Sequence, residues 1–297
     1  MGGDFAPEET IKGSILALEN INPENQLVLL GNEDLILNEL KKQNVDSGCF
    51  EIIDCKEIVD FSDHPVKAFK EKQDSSIVKG FMLLKQKTID GFASAGSTGA
   101  MLVGATMITG IIEGITRPCI SSFYPNISGS KNLLLDVGLN ADVKPENILQ
   151  FAQLGYVFYK QVMKEKNPKV GLLNIGSEES KGNLLAKTAF DLLKNDKSIN
   201  FIGNIESYDL LDGNKVNVVV TDGFTGNIVL KQFELFYKII KERNIDDDYF
   251  ENYNYENYGG TPILGVNQPI IIGHGKSSAK AIKNMILLTE QIVNANL

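Results

Sequence analysis

The chain alternates short, almost wholly apolar runs with longer stretches in which apolar residues recur every three or four positions. The runs are QLVLLG (26–31), FEIIDC (50–55), DGFAS (90–94), NLLLDVG (132–138), KVGLLNIG (169–176), NFIGNI (200–205), KVNVVVTDG (215–223) and PIIIGHG (269–275), each reading as a buried strand. Between them lie helical patterns over 8–19, 33–43, 75–87, 98–112, 145–165, 182–195, 225–243 and 277–294. Strands that are apolar on both faces need a sheet covered on both sides. The pattern therefore predicts a three-layer α/β/α fold with a mainly parallel mixed sheet. One segment stands apart: 232–258 opens as an amphipathic helix, with Phe233, Phe236, Ile239 and Ile240 on one face, then turns acidic and tyrosine-rich. It reads as an extension of a single α/β domain over 1–297, in one body or two lobes, and serves as a plain surface helix, a dimer contact or a lid.

Composition narrows the function classes. With 297 residues and 43% hydrophobic content the chain can bury a core. No apolar run approaches the roughly 20 residues that span a bilayer, and the start is neither basic nor continuously apolar, so a cytoplasmic protein without a signal peptide is expected. Cys49, Cys55 and Cys119 lack CxxC spacing and only His64 and His274 are present, which argues against disulfides and against a metal site. A net charge of -9, from 29 basic and 38 acidic residues, argues against a nucleic-acid partner. Arg117 and Arg243 are the only arginines, so any phosphate must be held mainly by backbone amides and lysines.

The glycines mark where such amides are presented. Ser94-Ala95-Gly96-Ser97-Thr98-Gly99-Ala100 and Gly223-Phe224-Thr225-Gly226-Asn227 each follow a strand and open a helix, which is the geometry of an anion cradle and equally of an ordinary strand-to-helix turn. A third loop, Asn174 to Asn183, places Lys181 near a helix N-terminus, where the dipole disfavours a cation; it is either a solvated lysine or one aimed at an oxyanion. Asp136-Val137-Gly138-Leu139-Asn140 adds a polar turn after a strand. His274, between Gly273 and Gly275, fits a structural histidine as well as a catalytic one. The chain has no GxxxxGK[ST], no clean GxGxxG after a strand and no GxSxG, so P-loop, nicotinamide and serine-hydrolase chemistry lack their motifs, and no cofactor is expected.

Taken in order, MGGDFAPE (1–8), DHPVKAF (63–69), SAGSTGA (94–100), RPCI (117–120), LLDVGLN (134–140), LLNIGSEESKGN (172–183), FIGNIE (201–206), VTDGFTGNIVLK (220–231) and YGGTPILGVN (258–267) resemble the PlsX family of bacterial phosphate acyltransferases. The resemblance implies transfer of a fatty acyl group from acyl carrier protein to inorganic phosphate, giving acyl-phosphate for phospholipid synthesis. It also implies a fold similar to isocitrate and isopropylmalate dehydrogenases and to phosphotransacetylase, a homodimer, and a downstream glycerol-3-phosphate acyltransferase as a partner. The family's proposed catalytic lysine and asparagine fall on Lys181 and Asn227; His274, from the reading of the residues themselves, is an optional proton donor. Its phosphate loop falls on Gly96, Ser97, Thr98 and Gly99, and Asp4, Asp136, Asn140, Asn174 and Gly226 join it as substrate-binding candidates. Arg117 and Lys67 are candidates for docking the acidic carrier protein. A dehydrogenase-like enzyme on the same fold and a non-catalytic scaffold for a membrane acyltransferase are the rival readings.

Three departures from the family pattern carry expectations of their own. PlsX chains usually have a short strand before MGGD, so this sequence is expected to leave a sheet neighbour without that partner. Ser97 and Ser207 stand where asparagine and glycine are usual. The arm between the DGFTGN helix and YGG is short and carries Asp246, Asp247, Asp248 and Glu251, which an anionic membrane repels, so stable membrane docking through it is not expected.

Overall fold

The computed structural model describes residues 2–296. They form two compact units, one of residues 2–112, 256–262 and 266–296 and one of residues 113–255 and 263–265. The first unit begins with α1 (Glu8–Leu18), β1 (Val28–Gly31), α2 (Glu33–Lys42), β2 (Glu51–Asp54), α3 (Pro65–Glu71), α4 (Ser76–Lys85), β3 (Phe92–Ser94) and α5 (Thr98–Gly104), the last continuing as a π-helical turn to Thr109. The second unit holds β4 (Cys119–Pro125), β5 (Lys131–Leu135), α6 (Pro145–Val162), β6 (Lys169–Leu173), α7 (Leu184–Asn195), β7 (Asn200–Ile205), β8 (Val218–Val220), α8 (Gly223–Glu242) and α9 (Asp248–Glu251). The chain then runs through β9 (Thr261–Leu264), β10 (Ile270–Ile272) and α10 (Ala279–Asn294).

In the first unit β10 pairs parallel with β3 and antiparallel with the start of β9, through Ile271↔Pro262 and Ile272↔Thr261. The β1–β2 pair is parallel and forms a separate ladder. A cleft of about 450 Å³, lined by Val28–Leu30 and Phe92–Ser94 and roofed by α1 and α10, lies between β1 and β3. Those two helices approach closely because Gly13 is bare: a Cβ there would stand 2.5 Å from the Ile282 Cβ.

The second unit has strand order β9-β4-β5-β8-β6-β7, antiparallel across β9, β4 and β5 and parallel beyond. Leu133, Leu134, Leu135, Val218, Val219, Val220 and Val170 have no exposed surface, as the continuous apolar runs require. Neighbouring strand residues point to opposite faces. Phe123 meets Phe158 of α6 at 6.0 Å, while Tyr124 stacks on Phe233 of α8 at 5.4 Å, so helices cover both faces and this unit is three-layered.

The α/β class and the mixed sheet agree with the sequence pattern, with differences at particular elements. The apolar runs overshoot their strands, since their tails form the loops that follow: LLLDVG pairs only to Leu135 and VVVTDG only to Val220. Strands β4 and β9 and helix α3 escape the pattern. All seven residues of β4 are buried, including Ser121 and Ser122, so hydroxyls interrupt its apolar signal. The segment beyond residue 232 folds back on itself, with Phe236 meeting Tyr253 at 5.6 Å and Phe250 at 6.0 Å.

Candidate active site

In the second unit the loop after β6 is held at both ends. The Asn174 amide donates to the Ile205 carbonyl at 2.8 Å, and its side-chain Nδ2 reaches the Lys181 carbonyl at 3.2 Å, closing the loop across its width. Gly182 adopts φ +96°, beyond the ordinary range of a side-chain-bearing residue, and turns the chain into α7. Asn183 caps that helix, accepting the Ala186 amide at 2.8 Å, a bond of the kind worth about 1 kcal/mol. Lys181 is half-exposed, and its ammonium lies 4.0 Å from Glu178 Oε2, too long and too wet to neutralise it.

The Asp136 loop is the fixed point against which α8 is set. Asp136 is fully buried, and its carboxylate accepts the amides of Ile120 (3.0 Å), Leu139 (3.3 Å) and Asn140 (2.6 Å) and the Asn140 Nδ2 (2.9 Å). Burial lifts its carboxyl above the usual carboxylate range, against the pull of these donors. Asn140 is buried too, donating to the Pro118 carbonyl at 2.8 Å and accepting the Gly223 amide at 2.8 Å. Helix α8 then lies directly on this loop: a Cβ on Gly226 would stand 2.0 Å from the Asp136 carbonyl oxygen, and one on Gly223 2.6 Å from that of Asn140. Three amides of its first turn are already bonded, Gly223 to Asn140, Gly226 to the Asp222 carbonyl and Thr225 to the Asp222 side chain at 2.8 Å. The glycines of DGFTGN thus answer to close packing rather than to an open anion cradle. The packing sets Asn227 beside the bare Gly138, whose Cβ would lie 3.4 Å from the Asn227 Oδ1.

The loop after β6 and the start of α8 line one cleft of about 640 Å³, whereas the Asp136 loop, Lys181 and Asn227 are not among its lining residues. Asn174, Gly182 and Asn183 line it from one side and Asp222, Thr225 and Val229 from the other, with Glu206 and Ser207 beside them and the buried Ile148, Leu172 and Ala189 completing the wall. Asn183, Asp222, Thr225 and Glu206 lie within the loops and motifs read from the sequence but are not picked out there as site residues. The first two are helix caps, and a cap followed by a helical run is the one signal that could have found them.

In the first unit three loops converge. Gly2 packs on Gly96, where a Cβ would come 2.8 Å from the Gly96 Cα, and Gly3, at φ +105°, lies against Gly275 and Ala95. The Asp4 amide donates to the Gly275 carbonyl at 2.7 Å. The opening glycines therefore serve the close approach of MGGD to the 94–99 and 273–276 loops. Ser97 is buried and caps α5 through the Ala100 amide at 3.4 Å, a bond that its short hydroxyl can make in place of asparagine. Thr98, Asp4 and His274 are exposed around this cluster, with Gly99 partly covered; the His274 Nδ1 accepts the Lys276 amide at 3.1 Å. Of the two carrier-docking candidates, Arg117 donates to the Asp142 carbonyl at 3.0 Å and exposed Lys67 meets Glu71 at 3.8 Å. Among the described residues no cluster of three or more His, Cys, Asp or Glu could hold a metal ion, and no helix is long and apolar enough to cross a membrane.

Comparison with known proteins agrees with the motifs. The family described as "Fatty acid synthesis protein" matches residues 1–297. The phosphate acyltransferase of Caldicellulosiruptor saccharolyticus is 45% identical over 96% of this chain and 90% of its own, and that of Dictyoglomus thermophilum 42% identical over 99% and 92%. Among solved structures, the EutD phosphotransacetylase from Staphylococcus aureus shares the fold at a TM-score of 0.66 and 16% identity, covering 97% of this chain and 92% of that one. A phosphotransacetylase from Streptococcus pyogenes does so at 0.65 and 18%, with the same coverage. With a whole-length family match and relatives above two-fifths identity, the chain belongs to the fatty acid synthesis protein family, the PlsX family whose motifs it carries.

Proposed function

We propose that this chain is a phosphate acyltransferase that moves a fatty acyl group from the thioester of acyl carrier protein to inorganic phosphate, supplying acyl-phosphate for phospholipid synthesis. A phosphate oxygen attacks the thioester carbonyl carbon, the carbon–sulfur bond breaks, and the carrier leaves as a thiolate. Phosphate is already nucleophilic at neutral pH and a thiolate departs with little help, so the reaction asks for orientation and charge stabilisation more than for a strong base. The observation that carries this reading is the poorly neutralised Lys181 on a loop braced by Asn174 at the mouth of a cleft.

Lys181 and Asn227 are assigned the oxyanion and phosphate charge, and Gly96, Ser97, Thr98 and Gly99 the phosphate loop. Asp136, Asn140, Asn174 and Gly226 are positioning residues for these groups, Asp4 anchors the opening turn, and His274 is an optional proton donor. Arg117 and Lys67 are assigned to the acidic carrier, against the chain's own negative field. A homodimer, a cytoplasmic location, an isocitrate-dehydrogenase-like sheet and hand-over of product to a glycerol-3-phosphate acyltransferase complete the proposal. The test is release of carrier-protein thiol from palmitoyl carrier protein with and without phosphate. Phosphate-dependent release that is lost in Lys181→Ala supports the reading; release unaffected by phosphate or by that substitution overturns it.

A further inference from the structure

A fatty acyl donor brings a long neutral chain that has to lie somewhere out of water while its carbonyl reacts. The 640 Å³ cleft of the second unit falls in the size range of small-molecule sites, about 300 to 1,000 Å³. Its chemistry is graded. The mouth carries Asn174, Asn183 and Thr225, whereas the walls are apolar: Ile148 and Ala189, both buried, with Leu172, Leu185 and Val229. Its two ionisable lining groups, Glu206 and Asp222, are both acids, and neither lysine nor arginine lines it. Without a cation among its lining residues the inner space offers an anion no charged partner, while an uncharged hydrocarbon is not repelled by the carboxylates and gains apolar contact with the walls. At its entrance Ile175 is 81% exposed, and the adjoining Leu184 is 82% exposed.

From this grading we infer that the cleft between α7 and the start of α8 is the acyl-chain groove, with the thioester end at the Asn174–Asn183 mouth and the chain running inward past Leu185 and Val229. The inference rests on the acyl-transfer reading and adds to it the seat of the hydrocarbon. It makes Leu185 and Val229, from opposite walls, specificity-determining residues for chain length.

The test narrows the groove from each wall separately, with Val229→Phe and Leu185→Phe, and compares kcat/KM for palmitoyl and acetyl thioesters with phosphate as acceptor. Each occluded methylene position removes roughly a fourfold preference for the longer chain, so the palmitoyl-to-acetyl ratio should fall at least tenfold in either variant. Lys187→Phe, at an exposed position of α7 outside the cleft lining, places the same aromatic ring away from the cleft and should keep the wild-type ratio. A binding arm stands apart from turnover: fluorescence titration with the methyl ester of parinaric acid, an uncharged polyene chain, should give at least threefold weaker affinity in each narrowed variant. A ratio within threefold of wild type in a folded variant, or equal loss with both thioesters, overturns the groove. If the wild-type chain transfers no acyl group to phosphate, the function reading fails while the titration still decides whether the cleft holds a hydrocarbon.

Discussion

Replacing Gly226 with alanine adds one methyl group where α8 lies on the Asp136 loop. The new Cβ would stand 2.0 Å from the Asp136 carbonyl oxygen, whereas real Cβ contacts essentially never fall under 3.0 Å, so helix or loop must yield by about 1 Å. The obstacle is backbone and cannot rotate away. The loop cannot yield cheaply either, because the Asp136 carboxylate is tied to Ile120, Leu139 and Asn140. Overpacking of this kind costs up to about 3 kcal/mol, and exchanging glycine for alanine inside a helix returns about 1 kcal/mol. The net loss is about 2 kcal/mol, roughly a 30-fold drop in the folding equilibrium constant. Because Asn227 is the next residue, a displacement of about 1 Å should also cost on the order of 10²-fold in turnover. Urea unfolding and phosphate-dependent thiol release measure the two effects. Gly48→Ala is the control: its nearest neighbour is the Asp46 side chain at 3.4 Å, and it should stay within about 0.5 kcal/mol of wild type. If Gly226→Ala proves as stable as wild type or more so, as helix propensity alone would have it, the reasoning is wrong.

Lys181→Ala should lower turnover by roughly 10²-fold or more while leaving the unfolding midpoint nearly unchanged, since its only ion pair among the described residues is the 4.0 Å contact with Glu178; a variant that turns over normally would remove Lys181 from the chemistry. Asp136 gives a pH signature. Its folded pKa is raised, so its stabilising effect is complete below the unfolded value, about 3.9, and is lost as pH rises through the raised folded value. The stability of wild type relative to Asp136→Asn should therefore decline with rising pH across that window and level off above it; a difference that grows with pH would mean the four hydrogen bonds outweigh burial. His274→Asn keeps an acceptor for the Lys276 amide, and a general acid is worth about 10²-fold or more. A drop smaller than roughly tenfold would leave His274 a structural role only.

Much of this molecule is legible from local chemistry. Alternation of apolar runs and helical periodicity located most strands and helices, because burial on both faces of a sheet leaves a mark on every residue of a strand such as Val218–Val220. The motifs were legible too, since LLNIGSEESKGN and VTDGFTGN are continuous in the chain. What the chain order could not express is why their glycines are there. Gly226 looks from the sequence like part of an anion cradle, and only packing reveals the Asp136 carbonyl lying where its side chain would be. Asp136 itself looks like a ligand-facing acid until folding buries it beneath donors from its own loop and from β4. Strand β4 was hidden because its serines find their cover in the tertiary structure, and the cleft between α7 and α8 is built from segments some 40 residues apart. Residue type and periodicity record what one segment needs from its surroundings; which other segment meets that need is decided by contacts between distant parts of the chain, and those appear only when it folds.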